Sequence, residues 1–384
     1  METLEEQLSC LHIANRSAME DSMTYVLDID TSEPAEGQQT QVIAILCSNK
    51  SIRLYNKESM TFLHEYNEHP AVLSGVRFSH SNGSVLYSAC SDGTVKSWDA
   101  RTSGAAPVQL FNGYPANAFI SFDISCNDLV LCAGTEKEEE DSFLVFWDAR
   151  APNGKFASKD PLGVYSESHN DDITQVRFHP TNPSMVASGS TDGLVNVFDL
   201  SKDNEDDALS ATCNSDSSVN VLGWAGEDHK QIFCLTHDEG FYRWDLAHVD
   251  TDEPITLSKV QDVREHASGC TVDYLIGGFY RAKEDALLLV GGTHSGDISL
   301  LNCDADRVKH LYSLRGGHSA TVRSFYWNAE DDSLLTGGED AQLLLWKPRS
   351  KDVPQKKEPL KMASSLQQRV RVHHTKSYKT KQKQ

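Results

Sequence analysis

The segment HPAVLSGVRFSHSNGSVLYSACSDGTVKSWD, residues 69–99, indicates what kind of fold the chain adopts. A tripeptide typical of turns, SDG at 91–93, precedes the short apolar run that ends in Trp98 and Asp99. Similar tripeptides, TDG at 191–193 and DEG at 238–240, precede runs of the same kind. Glycine supplies the positive φ of a tight hairpin. The segment therefore predicts hairpin-linked antiparallel strands.

The pattern at the end of this segment recurs along the chain. Seven short apolar segments end in an aromatic or apolar residue followed by a polar one, and successive ends lie 43 to 57 residues apart. They are SIRLYN, VKSWD, LVFWD, VNVFD, FYRWD, ISLLN and LLLWK, ending near 56, 99, 148, 199, 245, 302 and 347. A four-stranded propeller blade takes about 40–45 residues. The LLLW run is apolar on both faces, as a strand between neighbouring sheets must be.

Compared residue by residue, the copies resemble WD repeats. Three copies carry a His, a Ser or Thr, an Asp and a terminal aromatic residue in the family's order. These sets are His69, Ser88, Asp92 and Trp98; His169, Ser188, Asp192 and Phe198; and His318, Thr336, Asp340 and Trp346. The resemblance implies an all-β fold, a single seven-bladed β-propeller over residues 1–346, with each set forming a hydrogen-bonded structural tetrad inside its blade. Phe198 has no indole N–H to contribute.

Closing such a ring requires one strand more than the seven copies supply, because the last copy stops after its third strand. Residues 8–14, LSCLHIA, have the pattern of an edge strand and precede the first blade. Pairing this segment with blade seven would remove an exposed edge. We therefore expect residues 8–14 to close the ring.

The repeated His, Ser and Asp residues also have the side chains of a nucleophile, a base and an orienting acid. A catalytic set should occur once, whereas these recur at matching offsets in blades two, four and seven. A buried network that satisfies all its members specifies geometry instead. The sequence also lacks the phosphate-binding, metalloprotease and nucleophile-elbow motifs. We therefore predict that the protein is not an enzyme and has no cofactor. We also predict no metal, because the adjacent His373 and His374 have no nearby Cys or carboxylate ligands.

Two consecutive blades end identically, in Trp-Asp-Ala-Arg at 98–101 and at 147–150. This box resembles that of substrate receptors of cullin-type ubiquitin ligases, in which the Arg lies on the propeller underside and contacts an adaptor propeller. The resemblance implies that Arg101 and Arg150, with Asp99 and Asp148, bind a partner. Arginine suits this role because its planar fork makes bidentate contacts. The alternative is that each Arg simply pairs with the Asp two residues before it.

The net charge of the chain changes from negative to positive near Lys347. Residues 347–384 hold twelve Lys and Arg against Asp352 and Glu358, a net charge of +10, whereas the whole chain carries −21. This tail has few large apolar side chains, so we expect it to be mostly disordered. A solvated tail is the simplest interpretation. The basic clusters could also contact RNA, bind an import receptor or fold back onto the acidic body.

Composition also bears on compartment and partners. The acidic start METLEEQLSC has no features of a secretory signal, no apolar run is long enough to span a membrane, and nine cysteines without a C-x-x-C pair suit reduced thiols. We expect an intracellular protein, in nucleus and cytoplasm, monomeric by itself. The leading function is a non-catalytic scaffold for protein partners, and the alternative is a substrate receptor of a cullin-type ubiquitin ligase.

Overall fold

The described part of the chain forms seven sheets, four of which consist of four consecutive antiparallel strands. A computed structural model describes residues 3–33, 41–103, 106–113, 117–150, 157–246, 254–304 and 307–349. These residues lie almost wholly in the unit Met1–Pro348. The prediction of an all-β, seven-bladed propeller is confirmed. The predicted disorder of the tail falls on residues that, after Arg349, lie outside the described part of the chain.

The strands are short, mostly four to eight residues, as a propeller blade requires. The strands of the first half are β1 Leu11–Ala18, β2 Val26–Thr31, β3 Val42–Cys47, β4 Ile52–Asn56, β5 Phe62–Tyr66, β6 Leu73–Phe78, β7 Val85–Cys90, β8 Thr94–Asp99, β9 Gln109–Asn112, β10 Phe119–Ile124, β11 Val130–Thr135, β12 Leu144–Asp148, β13 Ala157–Lys159 and β14 Gly163–Tyr165. Those of the second half are β15 Gln175–Phe178, β16 Met185–Gly189, β17 Leu194–Asp199, β18 Leu209–Asn214, β19 Val219–Ala225, β20 Gln231–Thr236, β21 Phe241–Asp245, β22 Ile255–Val260, β23 Tyr274–Arg281, β24 Ala286–Gly292, β25 Ile298–Asp304, β26 Arg307–Leu314, β27 Val322–Asn328, β28 Ser333–Gly338 and β29 Gln342–Pro348.

Each blade orders its strands from the central channel outwards. Blades one, four, five and six are β2 to β5, β15 to β18, β19 to β22 and β23 to β26. Blade two is β6 to β9 with β13 added, blade three is β10, β11, β12 and β14, and blade seven is β27, β28, β29 and β1. Among the described residues, three short α-helices, α1 Leu4–Ser9, α2 Glu205–Ala208 and α3 Val263–His266, lie outside the blades.

The core lies between neighbouring blades rather than inside one sheet. Tyr87 and Val95 of blade two share a buried cluster with Phe119, Leu131 and Trp147 of blade three. Because a middle strand is covered on both faces, it must be apolar throughout, and all seven residues of β24 are buried accordingly. The two-sided apolar runs of the sequence therefore mark the strands that lie between sheets.

The N-terminal segment closes the ring, as the sequence predicts, but the strand begins three residues later than the predicted 8–14 and extends further. Strand β1 begins at Leu11 and continues to Ala18, antiparallel to β29 with Ile13 opposite Trp346. The preceding residues form α1, because Thr3 caps the helix and exchanges hydrogen bonds with Glu6 in a capping box. The N-terminus thus contributes a helix as well as the closing strand.

Blade two carries a fifth strand that the sequence did not predict. After blade three's third strand, the chain returns to the outer edge of blade two, where β13 pairs in parallel with β9. It then forms β14, the outer strand of blade three. This excursion links the two blades that end in Trp-Asp-Ala-Arg.

The hairpin glycines are used as predicted in two of three turns. Gly93 and Gly193 have φ of 77° and 87°. In the turn at 238–240, however, Glu239 takes the positive φ of 68°. Gly240 is instead required by space, because a Cβ there would lie 2.6 Å from the Thr236 hydroxyl.

Candidate functional site

The tetrad of blade seven is complete. His318 bonds Asp340 through Nδ1 at 3.0 Å and the Thr336 hydroxyl through Nε2 at 2.8 Å. The Trp346 indole N–H donates to the same hydroxyl at 2.9 Å. Burial alone would raise the pKa of the Asp340 carboxyl. Hydrogen bonds, above all the one with His318, outweigh it and hold this pKa below its usual value. Every member of the network is therefore satisfied.

Blade four has the same network without the indole. His169 lies 3.0 Å from Asp192 and 2.7 Å from the Ser188 hydroxyl. Phe198 fills the position of the tryptophan and is fully buried. The blade therefore keeps the packing of the aromatic side chain and loses one hydrogen bond, as its sequence predicts.

Blade two departs from the predicted tetrad. His69 Nε2 lies 2.7 Å from the Ser88 hydroxyl, which also accepts the Trp98 indole N–H at 2.8 Å. Asp92, however, does not bond His69; its Oδ1 accepts the backbone N–H and the hydroxyl of Thr94 at 3.1 and 2.6 Å. The prediction that Asp92 completes this tetrad is wrong. His69 Nδ1 is left buried without a hydrogen-bond partner.

Burial separates these side chains from solvent. Ser88, Ser188 and Thr336 are each 0% exposed, so a hydroxyl nucleophile here would have no access to substrate. Burial, followed by the nearby Lys96, lowers the pKa of His69 to about 4. Among the described residues, His69, Cys90 and Asp92 make up the one group of three possible metal ligands. The sequence predicts no metal, and it does not single out Cys90 as a ligand.

In both Trp-Asp-Ala-Arg turns the Arg pairs with the Asp two residues before it. Arg101 makes a bidentate ion pair with Asp99, and Arg150 makes the same pair with Asp148. The hydrogen bond from Arg150 lowers the pKa of Asp148 to about 2. Yet the two arginine side chains remain 73% and 70% exposed. The local pairing orients each guanidinium and leaves much of its surface open to solvent.

Both turns border one shallow pocket of about 270 Å³ between blades two and three. Its lining includes Arg101, Arg150 and Asp99 together with the side chains of Tyr87 and Gln109. The backbone of each turn is braced from outside its own strand. The Tyr66 hydroxyl donates to the Asp99 carbonyl at 2.8 Å, and Lys159 of β13 donates to the Asp148 carbonyl at 2.6 Å. The two turns are thus held in fixed positions on the same side of the ring.

A second polar region lines the central channel, in a cavity of about 600 Å³. Arg77 pairs with Asp28 of blade one at 2.7 Å, while Arg177 donates to the backbone carbonyl of Val176. Burial raises the pKa of Asp30 to about 6, and its carboxylate accepts the backbone N–H of Phe78 in the next blade. The sequence signal was the repeated Val-Arg-Phe at 76–78 and 176–178, whose middle residue lines the channel.

Comparison with known proteins agrees with this architecture. The family described as WD domain, G-beta repeat matches residues 60–99, 159–199 and 308–347. The chain is 30% identical over 321 residues to the WD repeat-containing protein GTS1 of Arabidopsis thaliana, covering 79% of this chain and 78% of that protein. This chain belongs to the WD-repeat family.

Two further similarities extend over most of the chain. It is 26% identical over 332 residues to the WD repeat-containing protein 89 homolog of Dictyostelium discoideum, covering 85% of this chain and 83% of that protein. A chain in the crystal structure of the mitotic checkpoint complex superposes with a TM-score of 0.64 at 15% identity, covering 88% of this chain and 96% of that one. At that identity the structural match shows the shared fold alone.

WD-repeat blades differ here in how they fix their terminal aromatic residue. In blade three the Trp147 indole donates to the backbone carbonyl of Asn112 at 2.9 Å instead of to a side-chain hydroxyl. Family membership therefore does not impose one hydrogen-bond pattern on every blade.

No helix among the described residues is long and apolar enough to cross a membrane.

Proposed function

We propose that this protein is a non-catalytic scaffold that binds other proteins, in keeping with the general role of WD-repeat propellers as interaction scaffolds. One observation carries the proposal: the hydroxyl, imidazole and carboxylate groups that resemble a catalytic set are used inside the blades, with Ser88, Ser188 and Thr336 fully buried. The side chains left available at the ends of blades two and three are oriented arginines.

The absence of hydrolase chemistry can be tested directly. We expect a fluorophosphonate probe to leave the folded wild-type protein unlabelled, because the Ser88 hydroxyl is inaccessible and already bonded to His69 and Trp98. Ser88→Ala is the matched control, read out by mass spectrometry of the intact protein. Labelling of the wild type that disappears in Ser88→Ala would contradict the scaffold proposal.

A second candidate, which is more specific, is a substrate receptor of a cullin-type ubiquitin ligase. The observation that favours it is that Arg101 and Arg150 border one pocket, with most of each side chain exposed. Pairing with Asp99 and Asp148 presets the guanidinium planes, so fewer side-chain rotamers have to be ordered on binding. A propeller adaptor offering carboxylates or carbonyl oxygens would be recognised by the exposed guanidinium N–H groups.

We expect the double variant Arg101→Ala, Arg150→Ala to lose co-purification with a cullin-ligase adaptor while it keeps the wild-type melting temperature. Arg264→Ala is the matched control, because Arg264 makes the same bidentate pair with an Asp two residues earlier, in α3. Quantitative mass spectrometry of cross-linked complexes measures the effect. Equal adaptor recovery with the double variant and with Arg264→Ala would rule out this docking mode.

We also propose that the basic tail directs part of the protein to the nucleus. It carries twelve Lys and Arg between Lys347 and Gln384, a composition that import receptors recognise. We expect a chain that ends at Arg349 to fold normally and to lose nuclear signal in fluorescence imaging. Because passive diffusion into the nucleus would reduce the difference between the two forms, both should carry the same large fluorescent fusion. An unchanged nuclear fraction would exclude import through the tail.

A further inference from the structure

Blade two differs from blades four and seven at one more position of its tetrad. Two residues after the tetrad hydroxyl, blade four has Ser190 and blade seven has Gly338, whereas blade two has Cys90. Blade two is also the blade in which the His and Asp do not bond each other. A thiol thus occurs in the one of these three tetrads whose histidine has a free nitrogen.

The three side chains converge on one small volume. A nitrogen of His69, the sulfur of Cys90 and a carboxylate oxygen of Asp92 all lie within 4.8 Å of one another. His69 is 5% exposed and Cys90 is 0% exposed. His69 Nδ1 is buried and has no hydrogen-bond partner. A buried polar nitrogen without a partner is destabilising, so a further partner at this position would stabilise the blade.

We propose that blade two binds a divalent metal ion of the zinc type through His69 Nδ1, Cys90 Sγ and the Asp92 carboxylate. Imidazole, thiolate and carboxylate together suit zinc and exclude the oxygen-preferring calcium and magnesium. The ligands come from three consecutive parts of one blade: the loop before β6, the end of β7 and the turn before β8. A solvent water completes a four-coordinate sphere beside the partly exposed Asp92.

The distances fit after small side-chain movements. Zinc bonds of about 2.0–2.3 Å place tetrahedral ligand atoms about 3.3–3.8 Å apart. Starting from pairwise separations within 4.8 Å, each donor atom has to move by less than about 1 Å. Asp92 can rotate towards the metal through the carboxylate oxygen that Thr94 does not use.

Each proton affected by metal binding has a destination. Metal ligation at Nδ1 places the imidazole proton on Nε2, which then donates to the Ser88 hydroxyl at 2.7 Å. That hydroxyl also accepts the Trp98 indole N–H, so it becomes the outer partner that orients the metal-bound ring. Cys90 loses its thiol proton to solvent as the metal–sulfur bond forms, and no electron is transferred. In blades four and seven Nδ1 instead bonds the carboxylate.

The test is a Co²⁺ titration of the full-length, chelator-treated protein without added thiol. Co²⁺ takes the place of zinc, and a bound thiolate gives a near-ultraviolet charge-transfer band. We expect one equivalent of Co²⁺ to produce this band in the wild type and zinc to abolish it by competition. Absence of the band in the wild type would overturn the proposal, even if Co²⁺ bound elsewhere, for example to His373 and His374.

Two variants locate the metal. Cys90→Ser copies the residue that blade four carries as Ser190, so we expect it to fold and to lose the band. Cys213→Ser, in a buried thiol of β18 that belongs to no ligand group among the described residues, should keep it. If Cys90→Ser does not fold, Asp92→Asn replaces it and should weaken Co²⁺ binding at least about tenfold. A band of wild-type intensity and affinity in a folded Cys90→Ser or Asp92→Asn variant would refute the site.

Discussion

Deleting residues 1–18 is expected to produce the largest loss of stability of any change considered for this ring. It removes β1, which pairs with β29 along its whole length, and α1, which packs beside blades six and seven. Leu8 and Leu11 are buried in that cluster, and each contributes about 1.5–3 kcal/mol by burial. Together with the lost strand pairing, the loss is comparable to the 5–15 kcal/mol by which a typical domain is stable.

The deletion should lower the melting temperature sharply or prevent folding, as measured by circular dichroism and differential scanning fluorimetry. Because an unfolded product is uninformative about the cause, a milder pair of variants accompanies it. Leu8→Ala should cost about 2–5 kcal/mol in a denaturant titration. Arg16→Ala, at an exposed position of β1, should cost little. A deletion variant with the wild-type melting curve would show that the N-terminus does not clasp the ring.

The blades could be predicted from the sequence because most of their strands are neighbours along the chain. A strand, a turn and the next strand follow one another within a few residues, so the hydrophobic period and the turn tripeptides report them directly. The number of blades follows from the seven repeated ends near 56, 99, 148, 199, 245, 302 and 347. The final strand then ends at Pro348, two residues beyond the predicted boundary at 346.

The parts that were missed depend on distant or competing contacts. Strand β13 pairs with β9 across about one blade of sequence, and no local pattern sets that register. Helix α1 did have a local signal, the capping box of Thr3 and Glu6, but an apolar run nearby favoured a strand. The same few residues fit either a strand or a short helix, because a buried Leu8 is compatible with the apolar pattern of a strand and with that of a helix.

The tetrads show the same limit at the scale of single atoms. The sequence correctly supplied the residue types in blades two, four and seven, and the structure brings His169 to Asp192 and His318 to Asp340. In blade two, Asp92 Oδ1 accepts both the N–H and the hydroxyl of Thr94 within its own turn, and Asp92 makes no bond to His69. Which donor a carboxylate takes depends on side-chain rotamers that a repeat pattern does not encode.

Trp98→Ala is expected to cost about 3–5 kcal/mol in the free energy of unfolding, as truncation of a buried aromatic side chain usually does. Trp98 is 1% exposed, stacks on Tyr66 at a centroid distance of 4.8 Å and donates to Ser88. Trp98→Phe copies blade four and separates the two contributions, because it keeps much of the packing and removes only the hydrogen bond, worth about 0.5–1.5 kcal/mol. Arg101→Ala is the matched exposed control. If chemical denaturation showed Arg101→Ala to be as destabilised as Trp98→Ala, the arginine would be part of the blade's structure, and its proposed role in adaptor binding would lose its support.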